Sequence, residues 1–331
     1  MNSFGKKFRV SLFGESHGNV VGVLVDGVKP GIPLCSEDFE ADMQRRAPHK
    51  NGTTARRESD EVLILSGVYN GHSTGAPVCL TISNANVRNE DYKQFEAIPR
   101  PGHADLSARI KYHGFNDPRG GGMFSGRMTA GIVAAGVIAK KSLLEAGVKA
   151  DIRSDIHALG GIRRDAPDAE ARWEELISKT AADGDSIGGI VECRLSGIPA
   201  GVGEPFWDSM ESLLAHAIFS IPGVRGIEFG DGFQAAAMRG SEHNDPIGID
   251  GKPLQNGAGG INGGISNGGE IVFRVAFKPT ASISKSQSTL NLETKKMDTL
   301  EIHGRHDVCF VRRCPVIVEA VSAIVLAELI S

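Results

Sequence analysis

The chain lacks several things that would have decided its class quickly. No run of about 18 uncharged apolar residues occurs, so no membrane-spanning helix is expected. The five cysteines, at 35, 79, 193, 309 and 314, form no CxxC pair, which argues against a disulfide or zinc framework and for reduced thiols. There is no GxxxxGK[ST] and no GxGxxG after a strand, so neither a P-loop nor a dinucleotide fingerprint is present. HExxH spacing and carboxylate–histidine clusters are missing too, and no metal is expected. The formal net charge is −4, which argues against a nucleic-acid partner. The opening MNSFGKKFRVSLF lacks the basic, apolar and small-residue plan of a signal peptide, so the expected location is cytoplasmic. Aromatic residues make up only 6%.

What the chain does have is glycine, at 42 of 331 residues, nearly double the average usage of about 7%. The glycines are not periodic but clustered, as GGG at 120–122 and GAGGINGGISNGG at 257–269. Such clusters let backbone N–H groups approach a ligand closely, often a phosphate. Hydrophobic residues make up 40% and charged residues 23%, enough for a folded core.

Period-2 alternation predicts strands in FRVSLF, with Phe8, Val10 and Leu12 on one face, and in EIVFRVAFK, with Ile271, Phe273, Val275 and Phe277 on one face. VVGVLVDGV, PVCLTI and GGIVECRLS are further strands. Ser36 is placed to cap a helix over EDFEADMQRR, which Pro48 stops. Helical spacing runs from Met123 to Gly147, over 168–182, through FWDSMESLLAHAIF, and over the nearly all-apolar stretch from Pro315 to Ile330. A weak internal repeat links VLVDGVKPGIPLCSEDF with IVECRLSGIPAGVGEPFW, and HSTGAPVCLTI with ISNGGEIVFRV. It predicts two related β/α halves, roughly 1–150 and 185–331, packed into one domain over 1–331.

Candidate chemistry gathers around a few stretches. GESHG at 14–18 presents Ser16 and His17 between glycines after a strand, and it is not the GxSxG nucleophile elbow. RPGHAD presents His103, and GRHD presents Arg305, His306 and Asp307. Each histidine alone reads as structural or exposed; together they supply groups that titrate near pH 7. Arg45, Arg46, Arg56, Arg57, Arg100, Arg119, Arg127 and Arg305 are dense for an acidic chain, and their planar forks suit phosphates and carboxylates. RGGGMFSGRMTAG sets glycines and Ser125 ahead of a helix, where free N–H groups favour an anion.

Five blocks in this order resemble the chorismate synthase family: GESHGNVVGVLVDGVKPG, RPGHAD, GGGMFSGRMTAGIVAAGVIA, KPTAS and RHDVCFVRRCPVIVEA. The resemblance spans nearly the whole chain. It implies an α+β fold, a β/α sandwich with helices packed around two sheets, assembled as a homotetramer. It implies a lyase that eliminates phosphate from 5-enolpyruvylshikimate 3-phosphate to give chorismate, the last step of the shikimate pathway. It also implies a requirement for reduced FMN, with NADPH as a candidate reductant of the flavin.

Carried over by position, the resemblance makes His17 the acid that protonates the departing phosphate, with Ser16 beside it. It sets His103 near the flavin N1 and C2 carbonyl, and Asp307 near N5. Substrate contacts fall to Ser16, Arg46, Arg100 and Arg127. Flavin contacts fall to Arg46, Met123, Phe124, Ser125, Pro222, Gly223, Gly263, Lys278, Pro279, Thr280, Ala281, Ser282 and Arg305. Two departures stand out. The family's middle block reads Arg-Ser-Ser-Ala-Arg-Glu where this chain has Met123 to Met128, and the loop after Arg46 is one residue shorter, with Lys50 as the available cation. Two other readings compete: a flavin-dependent oxidoreductase, and a non-catalytic anion-binding protein.

Overall fold

The computed structural model describes residues 2–48, 50–54, 60–85, 92, 94–302, 304 and 306–330. Two antiparallel five-stranded sheets make up most of it. The first contains β1 (Ser3–Phe4), β2 (Arg9–Gly14), β3 (Val20–Asp26), β4 (Leu63–Ser66) and β5 (Val78–Ser83), in the order β1-β2-β3-β5-β4. The second contains β6 (Asp151–Leu159), β7 (Ile162–Arg163), β8 (Gly189–Ser196), β9 (Val224–Phe229) and β10 (Ile271–Phe277), in the order β9-β10-β8-β6-β7. Alternation fixes which face is buried. In the first sheet Val21, Val23 and Val25 pair with Ile82, Leu80 and Val78, and all six are buried. In the second, Val191, Cys193 and Leu195 pair with Val275, Phe273 and Ile271, again all buried. Each such side chain removed from water contributes roughly 1.5–3 kcal/mol.

Two long helices, α3 (Thr129–Glu145) and α6 (Cys314–Ile330), fill the space between the sheets. The first packs on β3 and β5, the second on β6 and β8, and the two pack on each other. A helix covered on all sides has no polar stripe, which is why both read as apolar around their circumference. Gly136 marks their closest approach, since a Cβ there would sit 2.4 Å from that of Ala320. The remaining helices include α1 (Glu40–Arg46), α2 (Asp105–Lys111), α4 (Ala169–Ala182) and α5 (Met210–Ile218). Among the described residues no helix is long and apolar enough to cross a membrane.

The repeated sequence segments fall at matching places. β3 and β8 each lead through Gly-Ile-Pro, at 31–33 and 197–199, into a short 3-10 turn and then a helix, α1 or α5. β5 and β10 each follow a two-residue hairpin and pair with β3 and β8. Buried Ser73 and Ser266 match as well. Each accepts a backbone N–H, from Ile32 and Val202 at 2.9 Å, and donates to a carbonyl, of Lys29 and Pro199 at 2.6 Å.

Two element starts differ from the sequence expectation. Ser36 lies inside a 3-10 turn preceded by Cys35, whose N–H donates to Asp38, and α1 begins only at Glu40. Helical structure begins in earnest at Thr129, not Met123, because Ser125 is extended (ψ 147°) and caps a short 3-10 turn over Gly126–Met128 that leads into the helix. Among the elements not anticipated are β6, β9 and the hairpin of Gln287–Asn291 with Lys296–Leu300.

Candidate active site

A cavity of about 600 Å³ opens where loops flanking both sheets converge. Its wall takes residues from the turn after β2, the segments following α1, the loop entering α2, the glycine loop before α3, the loop into β9, the loop after β10 and the approach to α6.

The turn after β2 depends on Gly14, at φ +91°, where a Cβ would meet the Val20 carbonyl at 2.2 Å. The Ser16 N–H then donates to Gly122 O at 3.1 Å, tying this turn to the glycine loop. Ser16 lines the cavity. His17 is buried just behind it, with Nδ1 3.2 Å from Ser16 Oγ and its ring edge-on to Tyr92 at 4.7 Å between centroids. The glycine loop is what makes room. A Cβ on Gly120 would lie 2.1 Å from His17 Nδ1, and one on Gly121 would lie 3.1 Å from His103 Nε2. Both positions also have positive φ, where side chains are strained.

His103 belongs to a buried polar group. Its Nδ1 lies 2.5 Å from Asp105 Oδ1, and Asp105 also accepts from Arg100 Nε at 2.7 Å and Nη2 at 2.8 Å. Arg100 reaches on to Ser282 Oγ at 3.0 Å and covers the Phe95 ring at 4.4 Å. Burial would raise the Asp105 carboxyl, but the hydrogen bonds from Arg100 and His103 overcome it and hold the acid far below the usual carboxylate range. His103 moves below its ordinary value chiefly through burial, against the pull of Asp105, so it is a neutral imidazole near pH 7. With Asp105 accepting from Nδ1–H, Nε2 is the nitrogen left to take a proton.

Arg46 and Arg127 share one carboxylate, Asp60. Its Oδ2 accepts from Arg46 and its Oδ1 from Arg127, and all three side chains are buried. Burial raises the Asp60 acid, yet the two guanidiniums lower it further than burial raises it. Arg46 is pushed down to about 10, first by burial and then by Arg313 and Arg127, with Asp60 opposing. Arg127 also donates to Asn84 Oδ1 at 2.9 Å and Ser83 O at 3.0 Å, and Arg46 Nε has no partner among the described residues.

Asp307 accepts from the Thr54 N–H at 2.8 Å and lies 3.3 Å from Arg313 Nη1, while Arg313 Nε donates to Arg46 O at 2.8 Å. Lys278 donates to Gly102 O, joining the KPTAS loop to the RPGHAD loop.

Of the sequence candidates, Ser16, Arg46, Arg100, His103, Met123, Phe124, Ser125, Arg127, Pro222, Gly223, all of 278–282 and Asp307 line the cavity. The Ser125 hydroxyl is spent on capping, accepting from the Arg127 N–H at 3.2 Å. His17 and Gly263 are not among the lining residues: His17 lies behind Ser16, and Gly263 turns the hairpin of Ile261–Asn262 with Ile265–Ser266. Arg45 pairs with Glu319 and Arg119 with Asp117, both outside the cavity wall. Arg56, Arg57 and Arg305 lie outside the described residues. Sequence reasoning missed Asp60, Asp105, Arg313, Phe310 and Tyr92. For the two acids the only signal was a carboxylate close to arginines, in RRESD and RPGHAD.

One wall is therefore cationic, and Met123, Phe124, Ile221, Pro222, Ala281 and Phe310 supply apolar surface. That combination suits a flat aromatic ring bearing a phosphate together with a small polyanion. Among the described residues no group of three or more His, Cys, Asp or Glu side chains is arranged to hold a metal.

Comparison with known proteins gives a consistent answer. The chorismate synthase family model matches residues 8–330. A chorismate synthase of Chitinophaga pinensis is 52% identical over 329 residues, covering 99% of this chain and 96% of the relative. One of Dehalococcoides mccartyi is 45% identical over 351 residues, covering 99% and 96%. A solved crystal structure of a chorismate synthase superposes with a TM-score of 0.74 at 28% identity, covering 98% of this chain and 92% of that one.

Proposed function

The chain belongs to the chorismate synthase family, an enzyme family of aromatic amino-acid biosynthesis, and from that premise we propose its reaction: 1,4-elimination of phosphate from 5-enolpyruvylshikimate 3-phosphate, giving chorismate. The observation that supports this most is the pairing of His17 and His103 across one glycine loop, beside a cavity whose wall carries Arg46, Arg100, Arg127, Arg313 and Lys278. The substrate has two carboxylates and a phosphate, and guanidinium forks bind such groups bidentately.

In this reading the arginines bind and orient the polyanion, with Arg46 offering a buried donor that no described residue uses. Ser16 faces the phosphate from the cavity wall, with the His17 imidazole behind it, 3.2 Å from Ser16 Oγ. A proton held on the His17 imidazole passes to the leaving oxygen, which stabilises the developing charge as the C–O bond breaks. A reduced flavin, FMN, bound there would supply electron density for C–O cleavage and an acceptor for the departing ring hydrogen. The apolar surface of Met123, Phe124 and Phe310 and the cations beside it fit such a group. Neutral His103, anchored by Asp105, would offer Nε2 to an anionic reduced flavin ring, whose charge would raise its proton affinity. Asp307 is held by Thr54 and Arg313 for its role near N5.

NADPH as the flavin reductant, assembly as a homotetramer and a cytoplasmic location belong to the same proposal. Exposed Phe206, Trp207, Phe233 and Ile249 supply apolar surface for such an assembly. The deciding experiment is anaerobic. Protein, 5-enolpyruvylshikimate 3-phosphate and chemically reduced FMN are mixed, and chorismate and phosphate are quantified together. Equal yields, absent with oxidised FMN, are expected; no chorismate from folded protein overturns the reading.

A further inference from the structure

We propose that Asp60 is a positioning residue for substrate binding: it holds Arg46 and Arg127 together on the cavity wall as one anion-binding unit. The inference deepens the reading above and rests on it, since the anion concerned is the phosphate or a carboxylate of that substrate.

Three observations carry it. First, the two arginines come from distant parts of the chain, the end of α1 and the turn before α3, and Asp60 gives one oxygen to each. Two buried guanidiniums brought side by side repel, and a carboxylate between them is the simplest way to keep both in place. Second, Asp60 is 4% exposed yet lines the cavity, so it is a wall residue and not a surface acid. Its backbone sits at φ +52°, a conformation that Asp and Asn accept more readily than most side chains. Third, the sharing is incomplete. Asp60 occupies Nη2 of Arg46, Thr129 Oγ1 lies 3.5 Å from Nη1, and Nε stays without a described partner. Two positive groups face one negative group, so the local field still favours an anion. Among the described residues the charged groups packed around Arg46 are Asp60, Arg127 and Arg313, with Asp307 behind Arg313. Among these Asp60 is the one that favours the charged form of Arg46, and its removal leaves burial and two like charges opposing it.

The test uses the full-length, flavin-loaded protein and Asp60→Asn, which keeps the shape and tolerates the left-handed backbone. The expected result is at least a tenfold rise in KM for 5-enolpyruvylshikimate 3-phosphate, with kcat changed less than threefold. The alkaline limb of kcat/KM is expected to move at least one pH unit lower. A merely structural role would lower thermal stability without moving that limb. If Asp60→Asn does not fold, Arg127→Gln is compared with Arg127→Gln/Asp60→Asn, where no cation is left in excess of wild type. The double variant is expected to have the lower alkaline limb, and coincident limbs overturn the inference. Wild-type turnover with unchanged KM and pH profile in folded Asp60→Asn overturns this inference alone. A wild type that neither binds the ester by calorimetry nor turns it over overturns both it and the proposed function.

Discussion

His17 and His103 sit against consecutive residues of one loop, Gly120 against the first ring and Gly121 against the second. The separation of the two imidazoles is thus set by a single short stretch of backbone. Adding one methyl group at Gly120 puts a carbon 2.1 Å from His17 Nδ1, at a φ of +59°. Gly120→Ala is expected to displace His17 and to cost about 1–3 kcal/mol of stability. Turnover should fall as far as in His17→Ala, roughly 10²–10⁴-fold, the range for a lost general acid. FMN titration should show binding retained in both variants. Near-wild-type turnover in His17→Ala would remove that residue from the mechanism.

Asp105 makes a pH prediction with a definite sign. Its acid is held far below the usual range in the folded state by Arg100 and His103, against burial. Its stabilisation is therefore complete above the unfolded carboxylate value of about 4 and is lost as pH falls through the lower folded value. Asp105→Asn should lose on the order of 3 kcal/mol at pH 6 to 7, the cost of breaking a buried pair. Thermal melts of the two proteins should converge as pH is lowered from 4 toward 2. A gap that stays constant would mean that Asp105 acts by packing alone.

Phe124 tests the apolar side of the cavity. It is partly exposed there and packs at 6.4 Å, centroid to centroid, from Tyr112. Phe124→Ser restores a polar residue typical of the family's middle block and removes apolar contact surface. If the ring of FMN lies on it, affinity should fall about tenfold, equal to about 1.4 kcal/mol. Flavin fluorescence quenching measures this without turnover. An unchanged Kd would separate this wall from flavin binding.

Ser73 and Ser266 make matching contacts in the two parts of the fold. Each hydroxyl satisfies one backbone N–H and one carbonyl in a buried place. Ser73→Ala and Ser266→Ala should each cost roughly 1–3 kcal/mol, the penalty of orphaning buried backbone groups. They share no partner, so chemical denaturation of the double variant should give the sum to within about 0.5 kcal/mol.

The strands were legible because each sheet has one buried face, so alternation in FRVSLF and EIVFRVAFK carries the full signal. The long helices were legible as apolar runs, but not their place between the sheets, since burial on every side erases the periodicity that would show a facing. The start of α3 was misjudged because an extended Ser125 breaks the helical path after Phe124 without altering the apolar spacing. In the cavity wall, histidines and arginines announced themselves by type and context. Asp60 and Asp105 did not, because an acid beside arginines has the same sequence signature whether it is buried or solvated. Gly263 shows the converse: a glycine in a rich cluster that turns a hairpin away from the cavity lining of this chain.

One carboxylate ties the first strands to the last helix. Glu328, near the end of α6, accepts the backbone N–H groups of Lys6, Lys7 and Phe8 at 2.8–2.9 Å, and Lys6 lies 322 positions away in the chain. During synthesis those N–H groups wait for their acceptor until Glu328 has emerged. The first sheet can collapse early, but its entry segment cannot lock, and the turn that carries Ser16 and His17 follows from that segment. A nascent chain that ends before α6 lacks both this acceptor and the helix that covers β6 and β8.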